Sequence, residues 1–207
     1  MTSQSTIRRV PALSPRASSL DWDTHHGPVR NRRRLIPAWE QRAAYDLLGI
    51  GPGERAVDLG CGVGHWTRVL AGWGLEVTGY DFSEVALTYA REGDVERQAR
   101  YVDWDIDGEA TPSGIVPGSV DLVTCRLSLE YLDSARLLHE VRRWLTPGRG
   151  RFYALVRIDA GEAAGRPGLL QRSLTRRQID GLGLEWGARA EFRMRGLVGL
   201  MLHTPAA

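Results

Sequence analysis

A glycine-rich segment between an apolar run and a helical run most limits how this chain can fold. Residues 58–64 read Asp-Leu-Gly-Cys-Gly-Val-Gly, at the end of the short apolar stretch 55–59. Glycines allow a tight turn and a close backbone approach, and the helix start beyond them offers free N–H groups to a ligand. A dinucleotide fingerprint, G-x-G-x-x-G, would place its third glycine where His65 stands. The segment therefore predicts a strand, a ligand-binding turn and a helix, but not an ordinary dinucleotide site.

Three acidic residues follow or end predicted strands. Asp58 precedes the first glycine by two residues, where its charge would repel a pyrophosphate and attract an amino or sulfonium group. Asp81 ends the next strand, a position from which a carboxylate can accept both hydroxyls of a ribose. Asp103 ends the third and is followed by Trp104, so that one residue can accept from an adenine amino group and the other can stack on the ring. Phe82 can likewise lie against a purine.

Strands and helices alternate along most of the chain. A lead-in helix begins at Pro37 and ends at Gly49, and a loop replaces most of a crossover helix over 108–118. The predicted strands are 55–59, 76–80, 100–102, 120–124 and 150–157, the predicted helices are 65–73, 83–91, 134–145 and 175–183, and a final hairpin pairs 188–195 with 197–203. This order indicates a parallel sheet covered by helices on both faces, with an antiparallel edge.

Composition excludes several classes of enzyme. All 27 basic residues are arginine, so a P-loop, which needs its lysine on the phosphates, and Schiff-base or pyridoxal-phosphate catalysis are ruled out. The two cysteines, Cys61 and Cys125, cannot supply a disulfide framework, a four-thiolate zinc site or the triplet of a radical iron–sulfur enzyme. We expect both to be reduced and buried, and we expect no bound metal.

Charge is unevenly distributed. Residues 51–150 carry ten arginines against sixteen acids, whereas 1–50 carry eight against four and 151–207 carry nine against five. An acidic middle favours a cationic ligand and basic flanks favour an anionic partner, although solvated surface charge explains the pattern equally well. With no apolar run of membrane length and no signal-peptide core in residues 1–15, we expect a cytoplasmic protein that does not enter the membrane.

Five stretches together resemble the class I S-adenosylmethionine-dependent methyltransferases. They are AVDLGCGVGHW at 56–66, TGYDFS at 78–83, YVDWDI at 101–106, GSVDLVTCRLSLEYL at 118–132 and LTPGRGRFYALV at 145–156. The resemblance implies an α/β, Rossmann-like, doubly wound sheet of seven strands, mostly parallel with an antiparallel last strand. It divides the chain into a flexible N-terminal arm or lid, 1–36, and a methyltransferase domain, 37–207.

The same resemblance implies the cofactor site. S-adenosylmethionine would be the cofactor and S-adenosylhomocysteine the product. Gly60, Cys61 and Gly62 would pass close to the methionine part, Asp81 would bind the ribose, and Asp103 with Trp104 would hold the adenine. Arg126 falls where the family makes backbone contacts to the cofactor and where the acceptor pocket begins.

The sequence offers fewer candidate catalytic groups than candidate cofactor-binding residues. A hydroxyl acceptor usually needs a base, and histidine is the obvious type. His25 and His26 lie near Trp22 in a segment that in this family often folds over the site, although a solvated loop fits the same residues. His65 is expected to cap or pack, and His139 to face solvent.

Other residues near the acceptor are suggested more weakly. From their positions relative to the pattern of this family, Glu130 and Tyr131 are expected to face the acceptor. Arg30 begins a basic run, completed by 32–34, that could dock an acidic acceptor or a phosphate backbone or simply be solvated.

We therefore expect a methyltransferase acting on O or N of a small molecule, with specialised metabolism as its setting. The alternatives are RNA or protein methylation, which the basic flanks favour, and a cofactor-binding regulator or partner subunit without transferase activity. Nucleic acid is the less expected partner, and the sequence does not reveal the oligomeric state.

Overall fold

A computed structural model describes residues 16–27, 35–159, 168–194 and 196–205. Among them, seven strands form a single sheet: β1 Arg55–Leu59, β2 Glu76–Asp81, β3 Ala99–Asp103, β4 Leu122–Arg126, β5 Arg151–Arg157, β6 Ala188–Met194 and β7 Leu197–His203. Six helices accompany them: α1 Ser19–His26, α2 Ala38–Leu48, α3 His65–Gly72, α4 Glu84–Gly93, α5 Ser134–Trp144 and α6 Arg176–Gly181. A 3₁₀ turn spans Leu129–Tyr131.

The strand order is β3-β2-β1-β4-β5-β7-β6. The first five strands run parallel, and β7 pairs antiparallel with both β5 and β6. The predicted doubly wound, seven-stranded sheet with an antiparallel end is thus confirmed. The order reverses between β1 and β4, and in such sheets ligands bind beyond the carboxyl ends of the strands at this switch point.

Side chains on the two faces of the sheet enter two separate apolar clusters. Along β5, Phe152 and Ala154 join one cluster, while Tyr153 and Leu155 join the other. Both clusters are covered by helices, which explains why β4 and β5 read as nearly unbroken apolar runs. The sheet is therefore a rigid support for the loops at its carboxyl edge.

Element boundaries differ from the prediction by small amounts. Strand β4 starts at Leu122 rather than 120, because Val120 makes only an isolated bridge to Leu145. No helix occupies 108–118, as its prolines and glycines predicted. None of the described helices is long and apolar enough to cross a membrane.

Helix α1 was not predicted. It lies inside the segment expected to be an arm, and it begins with a capping box in which Ser18 Oγ accepts the Asp21 N–H and the Asp21 carboxylate accepts the Ser18 N–H at 2.8 Å. None of its residues is fully buried, so it shows no apolar periodicity that a sequence reading could detect. The remainder of the predicted arm, 1–15 and 28–34, lies outside the described residues.

Candidate active site

The glycine loop joins β1 to α3, and its residues Gly60, Cys61 and Gly62 line a cavity in the described part of the chain. Gly60 and Gly62 have φ values of +63° and +53°, which side chains with a Cβ rarely adopt. A Cβ on Gly60 would lie 2.5 Å from Ser128 Oγ, so glycine is also required there for space. The loop thus presents bare backbone to the cavity, which is what a closely bound ligand needs.

Asp81 lies beside this loop at the carboxyl end of β2. Its Oδ2 accepts the Gly62 N–H at 2.8 Å, and its Oδ1 accepts the Ser83 N–H at 3.0 Å. Burial raises the pKa of this carboxyl, while the bonds from Ser83 and Gly62 oppose the rise. The structure places the carboxylate on the cavity wall, where the predicted ribose contact remains available to it.

Asp58 lies deeper beneath the loop. Its two oxygens accept hydroxyl hydrogens from Thr67 at 2.7 Å and from Thr124 at 2.8 Å. Complete burial raises the pKa of Asp58 to about 6 despite these two bonds. The residue ties α3 and β4 to β1 around the loop, so its influence on a cationic ligand would be electrostatic rather than by direct hydrogen bonds.

The predicted adenine residues are only partly brought together. Trp104 and Phe82 both line the cavity, and the Trp104 ring is buried against Tyr80 at a centroid distance of 5.5 Å. The guanidinium of Arg16 lies over Phe82, 5.4 Å from the ring centroid, and also pairs with Asp105. Asp103 pairs with Asp81 in the sheet register, but it is exposed and its side chain does not line the cavity.

A buried ion pair borders the cavity on the other side of the glycine loop. Arg126 Nε and Nη2 donate to the two oxygens of Glu40, at 2.6 and 3.0 Å. Glu40 is 2% exposed, which a lone carboxylate would not tolerate. Arg126 was predicted at the site, whereas Glu40 was missed because its partner lies 86 positions away and α2 shows only its apolar periodicity.

Helix α1 contributes Trp22, His25 and His26 to the cavity wall. Asp23 Oδ1 accepts from Ser83 Oγ at 2.6 Å and from the Val85 N–H at 3.2 Å, which places an anion at the start of α4, where the helix dipole favours it. This contact holds α1 over the carboxyl ends of the strands. The segment is therefore helical rather than the solvated loop considered from its sequence.

Both predicted catalytic histidines line the cavity, in different surroundings. His26 reaches the glycine loop: a Cβ on Gly62 would lie 3.3 Å from His26 Cε1. Burial, followed by the repulsion of His25, lowers the pKa of His26 to about 4. His26 is thus neutral at pH 7, and His25 is exposed.

An aromatic group continues from His26 away from the loop. Trp22 stacks on His26 at 5.9 Å and meets Tyr131 edge-on at 4.9 Å, and Arg172 lies over the Tyr131 ring at 5.9 Å. Trp22 and Tyr131, both predicted to lie near the acceptor, line the cavity. Arg172 was not predicted, because nothing in the sequence after β5 marks it.

Glu130 differs from its neighbour Tyr131. Its side chain is fully buried, does not line the cavity, and accepts from Arg157 Nη1 at 3.0 Å. Burial raises the pKa of Glu130, against the effect of Arg157. Glu130 can therefore affect an acceptor only through Arg157, which does line the cavity.

The remaining predictions concern the two cysteines, the basic run that begins at Arg30 and a metal site. Cys61 and Cys125 are free and buried, as expected, and burial raises the pKa of both thiols. Arg30 and the rest of its basic run lie outside the described residues. Within the described ranges no group of three or more His, Cys, Asp or Glu side chains could hold a metal ion.

The cavity has a volume of about 580 Å³, a usual size for a small-molecule or cofactor site. Its lining includes the glycine loop, Asp58 and Asp81, the Glu40–Arg126 pair and the aromatic group.

A family model described as a methyltransferase domain matches residues 57–154. A ubiquinone biosynthesis O-methyltransferase from Bordetella parapertussis is 30% identical over 160 residues, which are 74% of this chain and 61% of that protein. This chain belongs to the class I S-adenosylmethionine-dependent methyltransferases. The cofactor of this family is S-adenosylmethionine.

Further relatives agree. A second ubiquinone biosynthesis O-methyltransferase, from Thiobacillus denitrificans, is 33% identical over 109 residues, or 52% of this chain and 47% of that protein. The solved structure of an S-adenosylmethionine-dependent methyltransferase from Mesorhizobium loti covers 77% of this chain and 97% of its own, with a TM-score of 0.60 and 23% identity. The chain spans about half the length of the Thiobacillus protein and about three fifths of the length of the Bordetella protein.

Proposed function

We propose that this chain transfers a methyl group from S-adenosylmethionine to a hydroxyl oxygen or an amine nitrogen of a small acceptor. One observation carries the proposal: a glycine loop with three positive-φ glycines, an acid at the next strand end and an aromatic group border one cavity. The two curated relatives are named O-methyltransferases, which favours oxygen over nitrogen.

The chain's residues fit the cofactor. Gly60 and Gly62 leave room for its methionine part, Asp81 can accept from its ribose, and Trp104 and Phe82 border the space for its adenine. Arg126 and Glu40 carry the opposite charges that an amino-acid group would meet. When bound, the cofactor supplies a sulfonium-activated methyl group for direct displacement by the acceptor.

The protein's part in such a displacement is mainly alignment and exclusion of water. Alignment can lower the barrier by roughly 7 to 11 kcal/mol. Helix α1 contributes Trp22, His25 and His26 to the cavity wall, and Trp22 and Tyr131 offer aromatic surface to an acceptor. His26, neutral at pH 7, can accept a hydrogen bond from the acceptor hydroxyl and orient it, but its low pKa makes it a weak base.

The cavity volume of about 580 Å³ supports a small acceptor rather than a nucleic acid or a protein. The test uses S-adenosylmethionine labelled in its methyl group, with panels of phenols, aliphatic amines, total RNA and a denatured protein mixture. We expect label, and a mass increase of one methylene, in a phenol or an amine. Labelling of RNA or protein alone would overturn the small-acceptor proposal, and labelling of none of the four would favour a non-catalytic binding protein.

A further inference from the structure

Helix α1 meets the candidate cofactor site at two points. Its last turn reaches the glycine loop, where a Cβ added to Gly62 would lie 3.3 Å from His26 Cε1. The same helix packs against α4, where Asp23 Oδ1 accepts the Ser83 hydroxyl hydrogen at 2.6 Å and the Val85 N–H at 3.2 Å. The position of α1 therefore depends on the glycine loop and on the turn that links β2 to α4.

Hydrogen bonds join these two points through Asp81. The Ser83 N–H donates to Asp81 Oδ1 at 3.0 Å, and the Gly62 N–H donates to Asp81 Oδ2 at 2.8 Å. A closed series of contacts thus leaves α1 at Asp23 and returns to α1 at His26. The carboxylate placed to accept from the cofactor's ribose is itself oriented by two residues that α1 contacts.

The Ser83 side chain makes this series sensitive to Asp23. Ser83 is fully buried, its hydroxyl oxygen accepts the Ala86 N–H at 3.1 Å, and its hydroxyl hydrogen goes to Asp23. Without Asp23 that hydrogen would lose its acceptor, and a buried donor without a partner costs free energy. Any shift of the Ser83 backbone that relieved this cost would also move the N–H that orients Asp81.

The charge of Asp23 strengthens the contact. Its carboxylate lies at the first turn of α4, where the helix dipole favours an anion. Asparagine at this position would keep an oxygen that accepts from both donors, and would lose only the charge. Alanine would lose both the charge and the hydrogen bonds, so the two substitutions separate the two contributions.

We infer that Asp23 is a positioning residue for the cofactor, which acts through Ser83 on Asp81, so that docking of α1 and binding of the cofactor favour each other. This inference rests on the proposed function, which places the cofactor at Gly62 and Asp81. The two effects are reciprocal, because docked α1 must raise cofactor affinity by the same factor by which the cofactor favours docked α1. Since α1 also contributes Trp22 to the cavity wall, the cofactor stabilises part of the wall that the acceptor meets.

The first test is calorimetric titration of the full chain and its variants with S-adenosylhomocysteine. Asp23→Ala should weaken binding about tenfold, and Asp23→Asn less than threefold. Thr175→Ala, which removes the side-chain cap of α6 outside the cavity lining, is the matched control and should leave affinity unchanged. Unchanged affinity in Asp23→Ala, an asparagine variant as weak as the alanine variant, or an equal loss in the control would each overturn the inference.

A double-mutant cycle tests whether Asp23 acts through Ser83. Ser83→Ala removes the hydroxyl that Asp23 binds, together with the bond to Ala86. The double variant Asp23→Ala/Ser83→Ala should lose at least threefold less affinity than the product of the two single losses, because the second change removes a contact already broken. Losses that multiply would show that the two side chains act separately, against the inference.

Hydrogen exchange measures the reciprocal effect. Saturation with S-adenosylhomocysteine should slow exchange of the α1 amides in the unmodified chain, and should slow it much less in Asp23→Ala. The amides of α6, which holds no residue of the cavity lining, serve as the internal reference. Exchange in α1 that does not respond to the ligand would contradict the coupling.

Binding by the unmodified chain separates the two proposals. If it binds S-adenosylhomocysteine while the variants and the α1 amides show no coupling, only the role of Asp23 is refuted. If it does not bind S-adenosylhomocysteine, the proposed function is refuted, and this inference with it.

Discussion

The imidazole of His26 packs against the Cα of Gly62, so closely that a Cβ there would lie 3.3 Å from His26 Cε1. This contact joins helix α1 to the loop that the cofactor must approach. It also takes His26 out of water, which lowers its pKa to about 4. Helix α1 and the glycine loop are thus coupled through one titratable group.

The docking of α1 should depend on pH. The pKa of His26 is about 4 when docked and 6.5 when exposed, so its docked form is favoured above pH 6.5 and loses stability as pH falls towards 4. Hydrogen exchange of the α1 amides should accelerate across this range. In His26→Asn the acceleration should be much smaller, and in the control His139→Asn, on the exposed face of α5, it should match the unmodified chain. Identical pH profiles for the two variants would contradict the role of His26.

Replacing Gly62 by alanine should damage both stability and cofactor binding. The residue has φ +53° and its Cβ would crowd His26, so we expect a loss of about 1 kcal/mol in the free energy of unfolding. Affinity for S-adenosylhomocysteine should also fall. The control Gly72→Ala, at the end of α3 with nothing within 4 Å of the added Cβ, should be neutral or slightly stabilising. Equal free energies of unfolding for the two variants in denaturant titrations would refute the prediction.

The Glu40–Arg126 pair should be costly to break. Glu40→Gln leaves the Arg126 charge without its partner, and we expect a loss of about 3 kcal/mol in the free energy of unfolding. The double variant Glu40→Gln/Arg126→Gln should cost clearly less than the sum of the two single changes. Glu84→Gln, which breaks an exposed pair with Arg91, should cost less than about 1 kcal/mol. Additive effects at Glu40 and Arg126 would show that the two side chains do not depend on each other.

The predictable parts of the structure were those with a local pattern. Strand β1 and the glycine loop follow from residue types a few positions apart, and they match the structure closely. Helix α1 was missed because Ser18 and Asp21 are its only strong signal and no residue of it is fully buried.

Long-range pairs escaped the sequence for a different reason. Glu40 meets Arg126 across 86 positions, and Arg172 reaches Tyr131 across 41, so no spacing rule connects them. The direction of the Glu130 side chain, away from the cavity and towards Arg157, also depends on the turn at Leu129–Tyr131 and on β5 together. The sequence therefore predicted which residues lie near each other in the fold better than it predicted which side chains are in contact.

In the proposed function the glycine loop and Asp81 form the cofactor site. Calorimetric titration of the full chain with S-adenosylhomocysteine, with NAD as the comparison, tests this directly. We expect S-adenosylhomocysteine to bind and NAD not to. In Asp81→Asn the binding should weaken by about 1.5 to 3 kcal/mol, the usual contribution of hydrogen bonds to a charged group, whereas the exposed control Asp46→Asn should leave it unchanged. Binding of NAD alone, or equal S-adenosylhomocysteine affinity in both variants, would contradict the account.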